Sequence, residues 1–181
     1  MIEFTNSNIS STNYGFLDVA DETAADALVD YIRGVETTGM RSRTLQGVTY
    51  LLGDIVNSTP TVVGTPAEAF DLLYQDKTYD TFRKKYKDRL NMIYVGANDG
   101  MLHAFNAGFF GVNGSGNNQF TPGTGTPLCK EMWSYIPMNL LPHLKWLADP
   151  DYTHVFYMDA KPRVFDAKIF TADADHPEGW G

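Results

Sequence analysis

Apolar and polar side chains alternate along the centre of the chain, on either side of one tight turn. Ile93, Val95 and Ala97 occupy every second position, which is the period of a β-strand. The turn residues Asn98-Asp99-Gly100 tolerate the positive φ angles that let a chain reverse within two residues. Because apolar residues resume after the turn, the pattern predicts a β-hairpin over 92–106.

Four shorter segments also have the composition of strands. Residues 61–63 are β-branched and follow Pro60, which a strand tolerates at its start. Residues 130–136 are rich in aromatic side chains. Residues 155–160 and 163–170 are predicted to form a second hairpin, with a turn between them.

The two predicted hairpins are similar in sequence. Each ends in an aromatic residue, an amide or carboxylate, and alanine, and the corresponding residues Asn106 and Asp166 are 60 positions apart. A repeating blade of about 40–50 residues with an inserted segment would give this spacing, as in a β-propeller. A β-sandwich with similar hairpins is the alternative from the pattern alone.

Helical spacing predicts one helix near the start of the chain and two helical insertions. The first helix spans 21–33, with Asp21 as its cap and Gly34 after its end. Apolar residues recur at helical intervals in the insertions, about 66–89 and 139–148.

The predicted organisation is a polar lead-in followed by a β domain. Residues 1–50 form the lead-in, in which 1–20 is expected to be loop or weak edge strand and 35–50 a loop. Residues 51–181 form the start of the β domain. Within it, the glycine-, asparagine- and threonine-rich stretch 108–128 predicts a flexible surface loop.

Composition excludes several classes of function. The chain has 181 residues, a formal net charge of −8 and a pI of about 4.8, which disfavours nucleic acid as a partner. It has no apolar run long enough to span a membrane, and its single cysteine, Cys129, cannot form an internal disulfide. The first residues lack the features of a signal peptide. Residues 176–181 look like a turn followed by the first residues of a strand, so we expect a piece of a longer protein, which is compatible with secretion of the whole.

Few residues of the sequence are candidates for a catalytic or binding role. Asp99 is expected to accept backbone hydrogen bonds within its turn, and His103 to be a packed, hydrogen-bonded histidine. No nucleotide-binding glycine loop or Cys-x-x-Cys pair is present, and Cys129 lacks a recognisable catalytic signature, so the sequence indicates a non-enzymatic protein.

Closely spaced aspartates are the candidates for a metal site. Asp149 and Asp151, and Asp173 and Asp175, are each two positions apart in loop-like sequence. Either pair is explained by a surface turn, because calcium requires six to eight oxygen ligands. Asp173 and Asp175 form the better candidate pair, because Asp166 lies nearby in sequence.

Five separate segments of the chain follow one another in a recognisable order. They are LGDIVNSTPTVVG (52–64), YVGANDGMLHAFNA (94–107), EMWSYIP (131–137), LADPDYTHVFYMDAKPRVFDA (147–167) and HPEGWG (176–181). In this order they resemble the PilC/PilY family of type IV pilus tip-associated biogenesis and adhesion proteins, and the resemblance covers about residues 25–181.

The resemblance implies a mainly β fold with helical insertions, namely the first one to two blades of a seven-bladed propeller of the quinoprotein type. Trp133 would be a core tryptophan that closes a blade. Members of the family lie at the cell surface, in the outer membrane or at the tip of the pilus (fimbrium). They promote pilus assembly, oppose retraction, and support adhesion and twitching motility. The implied partners are pilus subunits, minor pilins and a host or abiotic surface.

Calcium is the cofactor that the resemblance implies, for the full-length protein. Some family members carry an Asp-x-Asp-x-Asp loop in the propeller, and this chain lacks that sequence. The sequence of the central hairpin is also similar to that of quinone-dependent (PQQ-type) dehydrogenases. The alternative assignment is therefore a fragment of the propeller of such an enzyme. The isolated cysteine and the helical insertions favour the pilus family. A generic surface-binding β domain is the third possibility.

Overall fold

The largest β element is a sheet of five strands. In the computed structural model the described residues are 2–123 and 125–181, without the side chains of residues 10–12. The strands of the sheet are β3 (Thr61–Val63), β4 (Asn91–Gly96), β5 (Leu102–Val112), β6 (Asn118–Thr121) and β7 (Glu131–Tyr135). Two further strands, β1 (Thr44–Leu45) and β2 (Val48–Thr49), pair with each other alone.

The predicted central hairpin is confirmed as β4 and β5. The strand order is β3-β4-β5-β6, and β7 also pairs with β5. β3 runs antiparallel to β4, with Thr61 opposite Tyr94, and β6 runs antiparallel to β5, with Phe110 opposite Phe120. The predicted class of β structure with helical insertions therefore holds. The described residues show no closed sheet and no evident propeller blade, so the predicted first one to two blades are not seen.

The helices are short. They are α1 (Asn6–Asn13), α2 (Glu22–Ile32), α3 (Phe70–Leu73), α4 (Lys77–Lys85) and α5 (Leu144–Leu147), with 3-10 turns at Tyr14–Leu17, Met138–His143 and Pro177–Gly179. The Asp21 carboxylate caps α2 by accepting a hydrogen bond of 2.8 Å from the Ala24 amide. The structure therefore has helix in all three predicted regions, and Pro142 lies in the 3-10 part of the last one.

Two segments predicted as loops contain regular structure instead. Within the predicted loop 1–20, residues 6–17 form α1 and a 3-10 turn, because Ile9 and Leu17 pack into the same core as α2. Within 35–50, Gln46 and Gly47 have φ angles of 52° and 79°, which suit the two-residue turn between β1 and β2.

The predicted loop 108–128 is likewise partly strand. β5 continues to Val112, and β6 pairs back onto it, so the polar insertion is a second hairpin. The composition predicts that the backbone groups of this loop face water. In β6 they instead form hydrogen bonds with the backbone of β5. Thr124, in the same predicted loop, lies outside the described residues.

The prediction of a second hairpin over residues 155–170 is wrong. These residues form no β-ladder with each other, and the single bridge nearby pairs Lys168 with Trp180. A strand requires a partner for its backbone groups, and alternating side chains do not supply one.

The chain divides into two units whose segments alternate in sequence. Unit 1 comprises Met1–Ser58, Gly96–Leu102 and Ser134–Ala160, and unit 2 comprises Thr59–Val95, His103–Trp133 and Lys161–Gly181. The predicted boundary at residue 50 stays a prediction.

Unit 1 has a core built from helices. α1, α2 and α5 contribute its buried apolar side chains, including Ile9, Leu28, Val29 and Leu144. The buried Tyr31 hydroxyl donates a hydrogen bond of 3.2 Å to the Leu147 carbonyl, which ties α2 to α5.

Unit 2 has an aromatic core. Tyr79 and Phe82 of α4 pack against Trp180, whose ring also stacks on Phe70 at 5.5 Å between centroids. The Tyr79 hydroxyl donates a hydrogen bond of 2.7 Å to the Asp166 carboxylate. Burial, reinforced by that carboxylate, raises the pKa of Tyr79, so the hydroxyl keeps its proton.

Candidate functional site

The turn between β4 and β5 is held to a distant segment through Asp99. Asp99 Oδ1 accepts a hydrogen bond of 3.1 Å from the Met101 amide within the turn. Asp99 Oδ2 accepts one of 2.8 Å from the Gly53 amide, 46 positions earlier in the chain. The predicted role of Asp99 as a backbone acceptor in the turn is confirmed, and the bond to Gly53 extends it.

The approach of Gly53 to Asp99 leaves no room for a side chain. A Cβ atom on Gly53 would lie 2.4 Å from the Asp99 amide nitrogen and 2.9 Å from its Cβ. Contacts under 3.0 Å force one of the two segments to move, and one of these atoms belongs to the backbone. Glycine is therefore required by space at this position.

Asn98 joins three segments of unit 1. Its amide side chain donates a hydrogen bond of 2.9 Å to Asp54 Oδ2 and accepts one of 3.1 Å from the Tyr157 amide. Its own backbone amide donates to the Asp54 carbonyl at 3.0 Å. Asn98 is almost completely buried, and these bonds give its side-chain nitrogen, side-chain oxygen and backbone amide one partner each.

Asp54 lies at the more exposed side of this network. The His154 ring nitrogen Nε2 is 3.0 Å from Asp54 Oδ2. Desolvation raises the pKa of Asp54, but the hydrogen bonds from Asn98 and His154 outweigh it, and the net effect lowers the pKa. The carboxylate is therefore charged at neutral pH and already paired.

A cleft of about 250 Å³ lies beside this network, within unit 1. Its walls combine charged and apolar residues: Arg41, Arg43, Asp54, Tyr31, Leu147 and Tyr152. Arg43 is committed to the protein, because its Nε donates to Glu36 at 3.2 Å and its guanidinium covers the Tyr31 ring at 3.8 Å.

Arg41 is held differently. Its backbone amide donates to the Ala148 carbonyl at 2.8 Å, and its guanidinium lies 4.2 Å from the centre of the Tyr152 ring. Arg41 Nε is shielded from solvent and finds no hydrogen-bond acceptor among the described residues. A buried donor without an acceptor costs about 1–3 kcal/mol.

The predicted metal ligands Asp173 and Asp175 lie in a turn of unit 2. Asp173 Oδ1 accepts hydrogen bonds from the amides of Asp175 and His176, at 2.8 Å and 2.7 Å. The His176 ring also contacts this carboxylate, and its hydrogen bond is the largest cause of the lowered pKa of Asp173. Such bonding is typical of a surface turn.

Asp166, the expected neighbour of that pair, contacts other residues instead. It accepts the hydrogen bond from Tyr79 and lies 3.8 Å from the Arg89 guanidinium. In residues 2–123 and 125–181, no group of three or more histidine, cysteine or acidic side chains could hold a metal ion. Calcium binding by Asp173 and Asp175 stays a prediction.

Three other predicted residues have clear positions. His103 is buried and its Nδ1 lies 2.6 Å from Glu131, which confirms a packed, hydrogen-bonded histidine. Cys129 is exposed. Trp133 was expected in the core, but it is 45% exposed and contacts Tyr94 on one side, because β7 lies at the edge of the sheet.

Sequence reasoning missed the residues that surround the turn. Gly53, Asp54, His154 and Arg41 come from segments far apart along the chain and meet only in the folded unit. The one local signal was Gly53-Asp54 between apolar residues, a turn-like pair that carries no information about its partner.

Comparisons with known proteins match most of the chain. A family model described as the PilY1 beta-propeller domain matches residues 52–178. The chain is 30% identical over 177 residues to a type IV pilus biogenesis factor PilY1 homolog of Xylella fastidiosa, covering 92% of this chain and 12% of the relative. It is 34% identical over 157 residues to the type IV pilus biogenesis factor PilY1 of Pseudomonas aeruginosa strain PAK, covering 83% and 12%.

The chain spans 12% of the length of these two curated relatives. No solved structure matches it. In the part of the chain that the structure describes, no helix is both long and apolar enough to cross a membrane.

Proposed function

Because the chain belongs to the PilY1 β-propeller domain family, we propose that it serves in type IV pilus biogenesis. The observation that carries this proposal is the family match over 52–178, together with relatives that are named as pilus biogenesis factors. More finely, the protein promotes pilus assembly, opposes retraction, and supports adhesion and twitching motility.

The proposed role is non-enzymatic. Asp99 and Asn98 use hydrogen bonds of their side chains to join segments of the chain. His103, His154 and His176 each lie within hydrogen-bond distance of a carboxylate of the fold. Both named relatives are pilus biogenesis factors, so a quinone-dependent dehydrogenase is not favoured.

The proposed location is the cell surface, outer membrane or pilus tip. Its proposed partners are pilus subunits, minor pilins, and a host or abiotic surface. The pilus association of the named relatives supports this location and the pilus partners. Calcium bound through Asp173 and Asp175 is a separate proposal, which rests on the spacing of the two carboxylates.

The test is surface piliation after deletion of the full-length gene in its host. We expect loss of pili, restored when pilus retraction is also disabled, because an anti-retraction factor is dispensable without retraction. The deletion strain is complemented with the full-length gene and, separately, with the same gene lacking the codons for residues 52–178 of this chain. Restored piliation with the first gene alone assigns the effect to this segment. Normal piliation of the deletion strain would refute the proposal.

A further inference from the structure

The cleft of unit 1 is lined by charged side chains of both signs. Asp54 and Asp99 lie on its walls together with Arg41 and Arg43. Because the two signs balance, a ligand with a net charge gains no net attraction that offsets the loss of its own hydration. A wholly apolar ligand would remove water from these charged groups without replacing its hydrogen bonds. The walls therefore favour a ligand that is neutral and forms hydrogen bonds.

Asp54 retains an acceptor that such a ligand can reach. The side chain is 50% exposed. Asp54 Oδ2 accepts the hydrogen bond from Asn98 and lies 3.0 Å from His154 Nε2, whereas Oδ1 lies 3.1 Å from that same nitrogen. A carboxylate oxygen has two lone pairs, and one shared contact leaves Oδ1 able to accept a hydrogen bond from a ligand hydroxyl.

Tyr50 supplies an open aromatic surface at the same cleft. Guanidinium groups cover the rings of the other two tyrosines of the walls, Tyr31 and Tyr152. Tyr50 is 60% exposed, and among the described residues neither a cation over its ring nor a hydrogen bond to its hydroxyl is found. Its backbone amide donates a hydrogen bond of 2.9 Å to the Arg43 carbonyl, which fixes the residue beside the cleft.

We propose that the cleft binds one neutral sugar unit, with the Tyr50 ring against its C–H face and Asp54 Oδ1 accepting from one of its hydroxyls. A hydrogen bond from a hydroxyl to a carboxylate belongs to the stronger, charge-assisted class. The volume of about 250 Å³ is below the about 300–1,000 Å³ of pockets for drug-sized molecules, so the cleft holds about one pyranose ring.

A sugar matches these walls better than a peptide group does. A peptide group has one donor and one acceptor. A pyranose ring carries several hydroxyls around an apolar C–H face. It can therefore bond to the polar wall at Asp54 while its apolar face covers Tyr50 and the neighbouring Leu51 and Leu52, which also line the cleft.

The experiment measures binding of neutral sugars to the 181-residue chain by saturation-transfer NMR. The probes are the methyl glycosides of glucose, galactose, mannose and N-acetylglucosamine. Glucuronate and glucosamine are the anionic and cationic comparisons, and N-acetyl-L-serinamide is a neutral, peptide-like comparison.

Three variants locate the site. Tyr50→Ala removes the aromatic surface, and Asp54→Asn weakens the acceptor while keeping its size. Tyr74→Ala is the matched control, because Tyr74 is also an exposed tyrosine and belongs to unit 2. Circular dichroism establishes that each variant is folded.

We expect at least one of the glycosides to bind, and glucuronate, glucosamine and the serinamide to bind at least tenfold more weakly. Tyr50→Ala should weaken binding of the glycoside at least tenfold and Asp54→Asn at least threefold, and Tyr74→Ala should leave it unchanged. The free sugar and a disaccharide that ends in it distinguish a free monosaccharide from the end of a glycan chain, according to which binds more tightly.

Binding is measured on the purified chain and piliation in the host, so either proposal can fail alone. The sugar proposal is overturned if no glycoside binds at about 10 mM, if a charged sugar or the serinamide binds as tightly, or if Tyr50→Ala and Tyr74→Ala bind alike. Should Tyr50→Ala fail to fold, the ¹³C signal of the wild-type Tyr50 ring decides, because a ligand that leaves it unmoved does not contact Tyr50.

Discussion

Replacing Gly53 by alanine should loosen the connection between the 51–54 segment and the β4–β5 turn. The new Cβ would stand 2.4 Å from the Asp99 amide nitrogen, about 1 Å closer than an ordinary contact. To relieve the overlap, Gly53 and Asp99 must separate. The same movement lengthens the 2.8 Å hydrogen bond from the Gly53 amide to the Asp99 carboxylate.

The expected cost follows from these two effects. A hydrogen bond to a charged group contributes about 1.5–3 kcal/mol. Overpacking by one methyl group costs about 1–3 kcal/mol. Because a single displacement relieves the overlap and weakens the bond, the two costs are not summed, and we expect the free energy of unfolding to fall by about 2–4 kcal/mol.

Urea unfolding followed by circular dichroism measures this change. Gly15→Ala is the matched control, because a Cβ at Gly15 meets no atom within 4 Å and Gly15 belongs to the same unit. The control should change the free energy of unfolding by about 0.5 kcal/mol or less. If Gly53→Ala and Gly15→Ala have equal stability, the close approach of Gly53 to Asp99 does not exist in solution and the reasoning fails.

Three other predictions concern single groups. Tyr79→Phe should lower the free energy of unfolding by about 1–2 kcal/mol through loss of the bond to Asp166, whereas Tyr74→Phe, at a tyrosine 74% exposed, should not. Asp54→Asn should be less stable than wild type at neutral pH, and the difference should disappear on acidification. The lowered pKa of Asp54 gives stability that is present above its ordinary value of 3.8 and lost as pH falls through the folded-state pKa. Asp173→Ala with Asp175→Ala should abolish calcium binding to the full-length protein in calorimetry, and unchanged binding would exclude these residues as ligands.

Local sequence was sufficient to predict two elements, the β4–β5 hairpin and α2. The β4–β5 hairpin was predictable because Asn98, Asp99 and Gly100 favour the turn that the alternating strands require. α2 was predictable because Asp21 supplies a cap and the apolar residues recur at helical spacing. Both signals lie within about a dozen residues, so no tertiary information was needed.

The sequence-based predictions were wrong where the secondary structure of a segment depends on packing or pairing with a distant segment. α1 has neither a side-chain cap nor a marked apolar face, and its helix depends on packing Ile9 against other helices of unit 1. Residues 155–170 have the composition of a hairpin but find no neighbouring strand. The role of Asp99 in the turn was predictable, while its bond to Gly53 and the position of Arg41 required the folded chain.

The alternation of the two units along the chain constrains how the protein can be made. Unit 1 needs residues up to Ala160, and unit 2 begins at Thr59 and needs residues up to Gly181. The hydrogen bond from the Trp180 indole to Thr78, at 2.9 Å, joins positions 102 residues apart. Synthesis from the amino terminus therefore completes neither unit before most of the chain has emerged. Until then, the apolar side chains of both cores lack their partners, and exposed apolar surface of this kind promotes aggregation.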